Sequence, residues 1–386
     1  MQAQFIIFFS VFLSVLALGN FYIYRLGRWA IDNPLLRRIY TAVFIFLAVS
    51  YILGRFSQKI LSYENPLTVF LIWTGSFWFA FMVYLGIGTL SVDIITLVIK
   101  LFSKVGFHTP DIAAVRRIAA FVVWVCASII ITAGYINAQI RTVKEIPVTI
   151  KTHLAEPLTI ALVTDVHLGI QIGKNDLRRM VDNINALNPD IIIIGGDLFD
   201  EDLAPVVNGR FGDCLSLLRA RYGVYAVTGN HEFFGGVERA VDYMDRHGVR
   251  VLRNETVKAG PVYIAGRDDR AGDRILSKPR PPLEKVIAGI DRSLPLIVLD
   301  HTPQMLNDAR SVHADLQLSG HTHHGQMWPF NYITRAIFEV STGLVHRNGT
   351  AFYVSTGYGT WGPPIRTGSR PEIAKIIIRS EDSVAK

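Results

Sequence analysis

Seven residues in the second half of the chain share one chemistry and one setting. Asp165, His167, Asp197, Asn230, His301, His321 and His323 each stand just after a short apolar run. They offer imidazole nitrogens, carboxylates and an amide oxygen, with no thiolate. Such donors suit Mn, Fe or Zn in an open site rather than a closed structural zinc, which usually takes cysteine. Seven are too many for one tetrahedral ion and about right for two ions sharing a carboxylate. Asp197 follows Gly195 and Gly196, which let the backbone turn sharply and approach the ions, so it is the natural bridge.

The apolar runs are the elements that must position these groups. Leu158–Thr164, Ile191–Ile194, Val224–Thr228, Leu296–Leu299 and Leu316–Leu318 read as buried strands. Asp176–Leu187 reads as an amphipathic helix between the first two, and Asp213–Ala220 as a helical stretch before the third. Strands alternating with helices predict an α/β sheet, and in such sheets ligands gather beyond the carboxyl ends of the strands. Five strand ends would thus deliver all seven donors to one place. Around them, Asp268-Asp269 reads as a polar turn. Phe233-Phe234 and Met327-Trp328-Pro329-Phe330 flank two of the motifs, as an apolar lip for a lipid-linked substrate or as core packing.

In order, the motifs are Asp165-Val-His167, Gly196-Asp197, Gly229-Asn-His-Glu232, His301 after a strand, and Gly320-His-Thr-His323. This series resembles the calcineurin-like metallophosphoesterase superfamily from Leu158 to Arg379, and five ordered motifs are far more specific than one. The ending Gly357-Tyr-Gly359, Pro364-Ile-Arg366 and Pro371-Glu-Ile373 is similar to its membrane-anchored branch. That branch includes enzymes resembling UDP-2,3-diacylglucosamine pyrophosphatase and cell-envelope phosphoesterases. The resemblance implies a four-layer α/β/β/α sandwich with two divalent ions per chain, Mn preferred over Fe or Zn. Asp165, His167, Asp197 and His323 would hold one; Asp197, Asn230, His301 and His321 the other. His231 would be the catalytic group that meets the substrate phosphate. His324 departs from the pattern, standing where a glycine is expected, and reads as an exposed loop residue. Arg366 reads as a partner in a structural ion pair in preference to a phosphate ligand.

The implied chemistry follows from charge. Two cations about 3.5–4 Å apart neutralise phosphoryl oxygens and hold a bridging hydroxide in line, with no covalent nucleophile. His231 then protonates or stabilises the leaving oxygen.

The first half of the chain is different. Half of all residues are hydrophobic and only 18% are charged, which excludes a disordered chain, and the apolar excess lies before about residue 140. Four apolar stretches, Phe5–Tyr24, Ile39–Gly54, Pro66–Ile99 and Ile118–Gln139, predict about four membrane spans, the second of marginal length. The first is an uncleaved span, since it lacks a basic leader. The third is either one tilted helix or a span followed by an amphipathic stretch, with a break expected at Gly86 and Gly88 and Asp93 near the water interface. Residues 1–145 hold twelve of the 39 Lys+Arg and five of the 32 Asp+Glu, so the net charge of +7 lies there, and the remainder is balanced. Bases cluster between spans one and two and between spans three and four. Positive loops stay inside, which places the polar half outside the cell membrane.

The expected organisation is a multi-span region over 1–140, a linker over 141–157 and a catalytic domain over 158–386. The function expected is hydrolysis of a phosphodiester, phosphomonoester or pyrophosphate, on a lipid-linked or cell-envelope substrate. The alternative is a non-catalytic membrane receptor or scaffold on a phosphatase fold, against which the complete donor set argues. A nuclease is disfavoured, because the balanced charge of residues 146–386 gives no strong grip on a phosphate backbone. Cys126 and Cys214, far apart, read as two buried hydrophobes.

Overall fold

The computed structural model describes residues 2–381. The chain divides near residue 135 into a helical unit and an α/β unit.

In the helical unit, α1 (Gln2–Ala30), α2 (Pro34–Leu61), α3 (Pro66–Lys104) and α4 (Ile112–Gln139) follow one another. Two of them begin with the same device. Asn33 and Asn65 cap the free backbone N–H groups of α2 and α3, and Pro34 and Pro66 occupy the first turn, where no donor is lost. Among the described residues, α2, α3 and α4 are long and apolar enough to cross a membrane. The first predicted span is helical too, but the side chains of residues 2–9 and 12, on which that reading rests, lie outside those described. Gly75 faces the backbone of Tyr51, and a Cβ there would meet it at 2.3 Å, so the glycine sets how closely α2 and α3 pack.

Two expectations for the third stretch are corrected. It is one continuous helix of 39 residues through Gly86 and Gly88. Between apolar neighbours the backbone has no partner but itself, and this outweighs a helical glycine's cost of about 1 kcal/mol. Asp93 is not at a helix end. It lies eleven residues before Lys104, accepts from Tyr22 (3.0 Å), and pairs with Arg25 of α1 and Arg116 of α4 (3.4 Å).

In the α/β unit the strands are Thr142–Ile150 (β1), Leu158–Val163 (β2), Ile191–Ile194 (β3), Val224–Ala226 (β4) and Arg250–Val251 (β5). They continue with Glu255–Ala259 (β6), Val262–Gly266 (β7), Leu296–Leu299 (β8), Leu316–Ser319 (β9), Gly343–Arg347 (β10), Thr350–Val354 (β11) and Glu372–Ser380 (β12). They form two six-stranded mixed sheets, in the orders β1-β12-β2-β3-β4-β5 and β10-β11-β9-β8-β7-β6. The second sequence stretch to be corrected is Thr142–Ile150, read as linker. Its alternation of buried Ile146, Val148 and Ile150 is masked by Pro147, which an edge strand tolerates.

Layering follows from the period of two. Ile191 and Ile193 of β3 point into the core between the sheets, beside Ile160, Ile297 and Leu318. Ile192 and Ile194 point the other way, against α5 (Lys174–Ala186), whose Leu177, Met180, Val181 and Ile184 form its buried face. Leu296 and Val298 of β8 do the same on the outer face of the second sheet. The result is the α/β/β/α sandwich. Cys214 is buried as expected, whereas Cys126 is exposed on α4.

Candidate metal centre

The loops that leave β2, β3, β4, β8 and β9 meet at one buried point. Asp165, Asp197 and His301 are at most 2% exposed. The backbone there is unusual: Asp165, His167, Asp197, His321 and His323 all have φ between 45° and 68°, the left-handed region that costs a non-glycine residue energy. Such conformations persist where the surroundings over-determine them. Gly196 has φ 92°, and a Cβ on it would come within 2.5 Å of His301 Nδ1, so glycine is required for this turn.

Three groups of side chains form among the described residues, one of them His167 with Asp200 and His231; the other two hold predicted donors alone. Asp165, His167 and His323 offer donor atoms within 4.8 Å of one another, as do Asp197, His301 and His321. Asp197 links the groups: its Oδ2 lies 3.1 Å from His301 Nε2 and 4.0 Å from His167 Nε2. Asn230 Oδ1 lies 2.8 Å from His321 Nδ1. The structure therefore brings all seven predicted donors together, with His231 against them, its ring centroid 4.6 Å from that of His167.

These contacts fit divalent cations better than they fit protons. His167 and His323 face each other Nε2 to Nε2 at 3.2 Å, where at most one nitrogen can donate. His301 donates from Nδ1 to the Gly195 carbonyl (2.8 Å), which leaves Nε2 toward Asp197, buried and without a hydrogen bond. Fixing the far nitrogen in this way is how metal-binding imidazoles are oriented. Burial pushes His167 down to about 3, with the charge of His231 acting in the same direction. Burial and then Arg366 hold His323 well below the usual range. Both are thus neutral and have lone pairs to give. Burial disfavours the charged form of His301, yet Asp197 and Asp165 push it well up, so a positive charge is wanted at that point.

Three further residues complete the site, and sequence reasoning assigned no role to any of them. Asp200, the third residue after Asp197, lies 3.4 Å from His231 Nδ1. Burial works against the protonated form of His231, but Asp200 and Asp197 overcome it and raise it to about 9. Glu232, the last residue of its motif, accepts from the backbone N–H groups of Asp197, Phe199 and Gly229 at 2.7–3.1 Å, joining the β3 and β4 loops. Asp300, before His301, is buried between Arg267 and Arg280. The spacing Gly-Asp-x-x-Asp was the available signal for Asp200, and the motif Gly229-Asn-His-Glu232 was the signal for Glu232; Asp300 had only its place before His301.

Several sequence readings are corrected here. His324 is not exposed: it is 7% accessible, between Ser341 and Arg335. Asp268 and Asp269 are not a solvated turn. Asp268 accepts from Arg253, Asn254 and Thr228, and Asp269 from Thr302, so both hold residues next to the donors. Arg366 is fully buried and, among the described residues, makes no ion pair with a carboxylate. It donates to the Thr356 and Gly359 carbonyls and, at 3.1 Å, to His323 Nδ1. The flanking apolar residues divide: Phe233 and Met327 are core, whereas Phe234 and Trp328 are exposed.

The family model for calcineurin-like phosphoesterases matches residues 158–325. An uncharacterized metallophosphoesterase of Aquifex aeolicus is 33% identical over 56% of this chain and 84% of its own length. The chain belongs to the calcineurin-like metallophosphoesterase family. A Campylobacter jejuni member is 29% identical over 98% of this chain and 99% of its own, so that likeness extends through the helical unit. A Helicobacter pylori member is 34% identical over 60% of this chain, and the matched stretch spans 62% of that relative's length.

Proposed function

We propose that this family member is a membrane-anchored phosphohydrolase that works with two divalent ions. One would be held by Asp165, His167, Asp197 and His323, the other by Asp197, Asn230, His301 and His321. The observation that carries this reading is the position of Asp197 Oδ2 between the imidazoles of the two groups. Bound there, the cations supply Lewis acidity toward the phosphoryl oxygens and a nucleophilic water, with Mn the preferred metal.

The chain's own contribution is positional and protonic. His231, kept protonated by Asp200, faces the side where a leaving oxygen departs and gives it a proton. Asp200 stabilises the positive imidazole until that proton is transferred, after which the ring is neutral. The substrate is a phosphodiester, monoester or pyrophosphate carried by a lipid or envelope component. The α/β unit faces the extracytoplasmic side.

The test uses the full chain in detergent, stripped with chelator and resupplied with Mn. Hydrolysis of bis-p-nitrophenyl phosphate is expected to vanish on stripping, return with metal, and fall at least a thousandfold in Asp197→Ala. Turnover that ignores both treatments would overturn the reading.

A further inference from the structure

The α/β unit hides its apolar residues well, with one concentrated exception. Between residues 158 and 381, the exposed large aromatic side chains among those described are Phe234, Trp328, Tyr332 and Trp361, each 46–59% accessible. Two of the four lie against the candidate metal centre. The rings of Phe234 and Trp361 lie 5.8 and 5.6 Å from that of His231. Gln326 exchanges two hydrogen bonds with the backbone of Trp361 (2.9 and 3.1 Å), tying it to the strand of chain that carries Trp328. That chain runs into the helix Phe330–Ile337, after which the ring of Phe338 lies 6.0 Å from His321.

This helix is built unlike the others. None of its eight residues is buried. Ile333 and Ile337, four residues apart, share a face, Tyr332 stands a quarter-turn away, and the three are 53–65% exposed. Arg335, also exposed, reaches toward His324 (3.5 Å). A soluble protein gains nothing by holding two Trp, a Tyr and two Ile in water around its reactive site. Aromatic residues with Ile and a flanking Arg are the composition that settles at the boundary of headgroups and acyl chains. A bilayer is at hand, because the same chain carries three helices long and apolar enough to cross one.

The geometry points to the helix Phe330–Ile337, with Trp328, Trp361 and Phe234, as a lipid-docking surface that beds the rim of the metal centre into a bilayer interface, so that the phosphoester is taken from a lipid. The docking stands apart from the hydrolase reading; the lipid substrate rests on it.

The test is done on the full chain in phosphatidylglycerol-containing nanodiscs, with Cys126→Ala and Cys214→Ala as background. A fluorophore is placed on Ile333→Cys or Ile337→Cys, and for comparison on Lys258→Cys or Arg347→Cys, which are exposed beside the hairpin turns at the opposite ends of the strands from the metal centre. Nitroxide-bearing lipids are expected to quench the first pair at least threefold more than the second. Ile333→Asp with Ile337→Asp should keep turnover of soluble bis-p-nitrophenyl phosphate within twofold. The same pair should lose at least tenfold on a phospholipid p-nitrophenyl diester in the nanodisc. Equal quenching at rim and control positions overturns the docking, and so does a blue-shifted but unquenched rim label, which would mean a protein partner. Loss of soluble turnover in the unmodified chain would sink the hydrolase reading while leaving the quenching result to judge the surface.

Discussion

At the scale of single residues, the site depends on pairs that set charge and orientation. His231 carries a proton because Asp200 and Asp197 outweigh its burial. In metal-free protein its imidazole should titrate near 9 by NMR, and Asp200→Asn should bring it down toward its ordinary 6.5. The sign for stability follows. A raised imidazole contributes fully below about pH 6.5, and the contribution is lost as pH rises through about 9. The unfolding midpoint of stripped protein should therefore decline across that window, less steeply in Asp200→Asn. Arg366 acts on the other side of the centre. Its N–H to His323 Nδ1 fixes the ring whose Nε2 faces Asp165. Arg366→Met is expected to weaken metal affinity by about 10–100-fold, read by competition with a chelating dye, since partners of this kind orient metal-binding imidazoles.

At the scale of elements, the strands are rails that end at the same level. The register Ile160–Ile191 and Ile194–Ala226 aligns β2, β3 and β4, so the loops after them start side by side. In the facing sheet, Ile297–Leu316 does so for β8 and β9. Ile193, fully buried between the sheets, holds two of these rails together. Ile193→Ala should cost about 2–5 kcal/mol of stability by denaturant unfolding of the full chain, because the cavity sits where strands of two sheets meet. The elements read correctly from sequence were those with an unbroken local signal, such as α5 and the all-isoleucine β3. β1 was missed because proline interrupts its alternation and its pairing with β12 joins residues more than two hundred positions apart.

At the scale of the whole molecule, the helices long and apolar enough to cross a membrane and the phosphoesterase domain are divided along the chain. The proposed sidedness rests on basic residues near the end of α1 and the starts of α2 and α4. Arg28, Arg37, Arg38, Arg116 and Arg117 lie in the helix turns that flank the α1–α2 and α3–α4 connections, which the reading expects inside. An alkaline phosphatase reporter fused after residue 386 is expected to be active, and a green fluorescent protein fused there to be dark. The opposite pair would place the α/β unit in the cytoplasm. Asp93 joins α1, α3 and α4 by its contacts with Arg25 and Arg116, an interhelical role that its neighbours in sequence do not announce.

The sequence by itself named the candidate donors, their order and the sheet that delivers them, because each follows an apolar run whose type and length are local properties. It also determined which half of the chain is made for a bilayer, through charge and hydropathy alone. Tertiary structure decided everything that depends on which distant segments meet: that Asp200 faces His231, that Arg366 and His324 are buried, and that Trp328 and Trp361 stay in the open. A polar or aromatic side chain has no preference of its own between these fates. Its environment is fixed by the packing of loops that no periodicity describes.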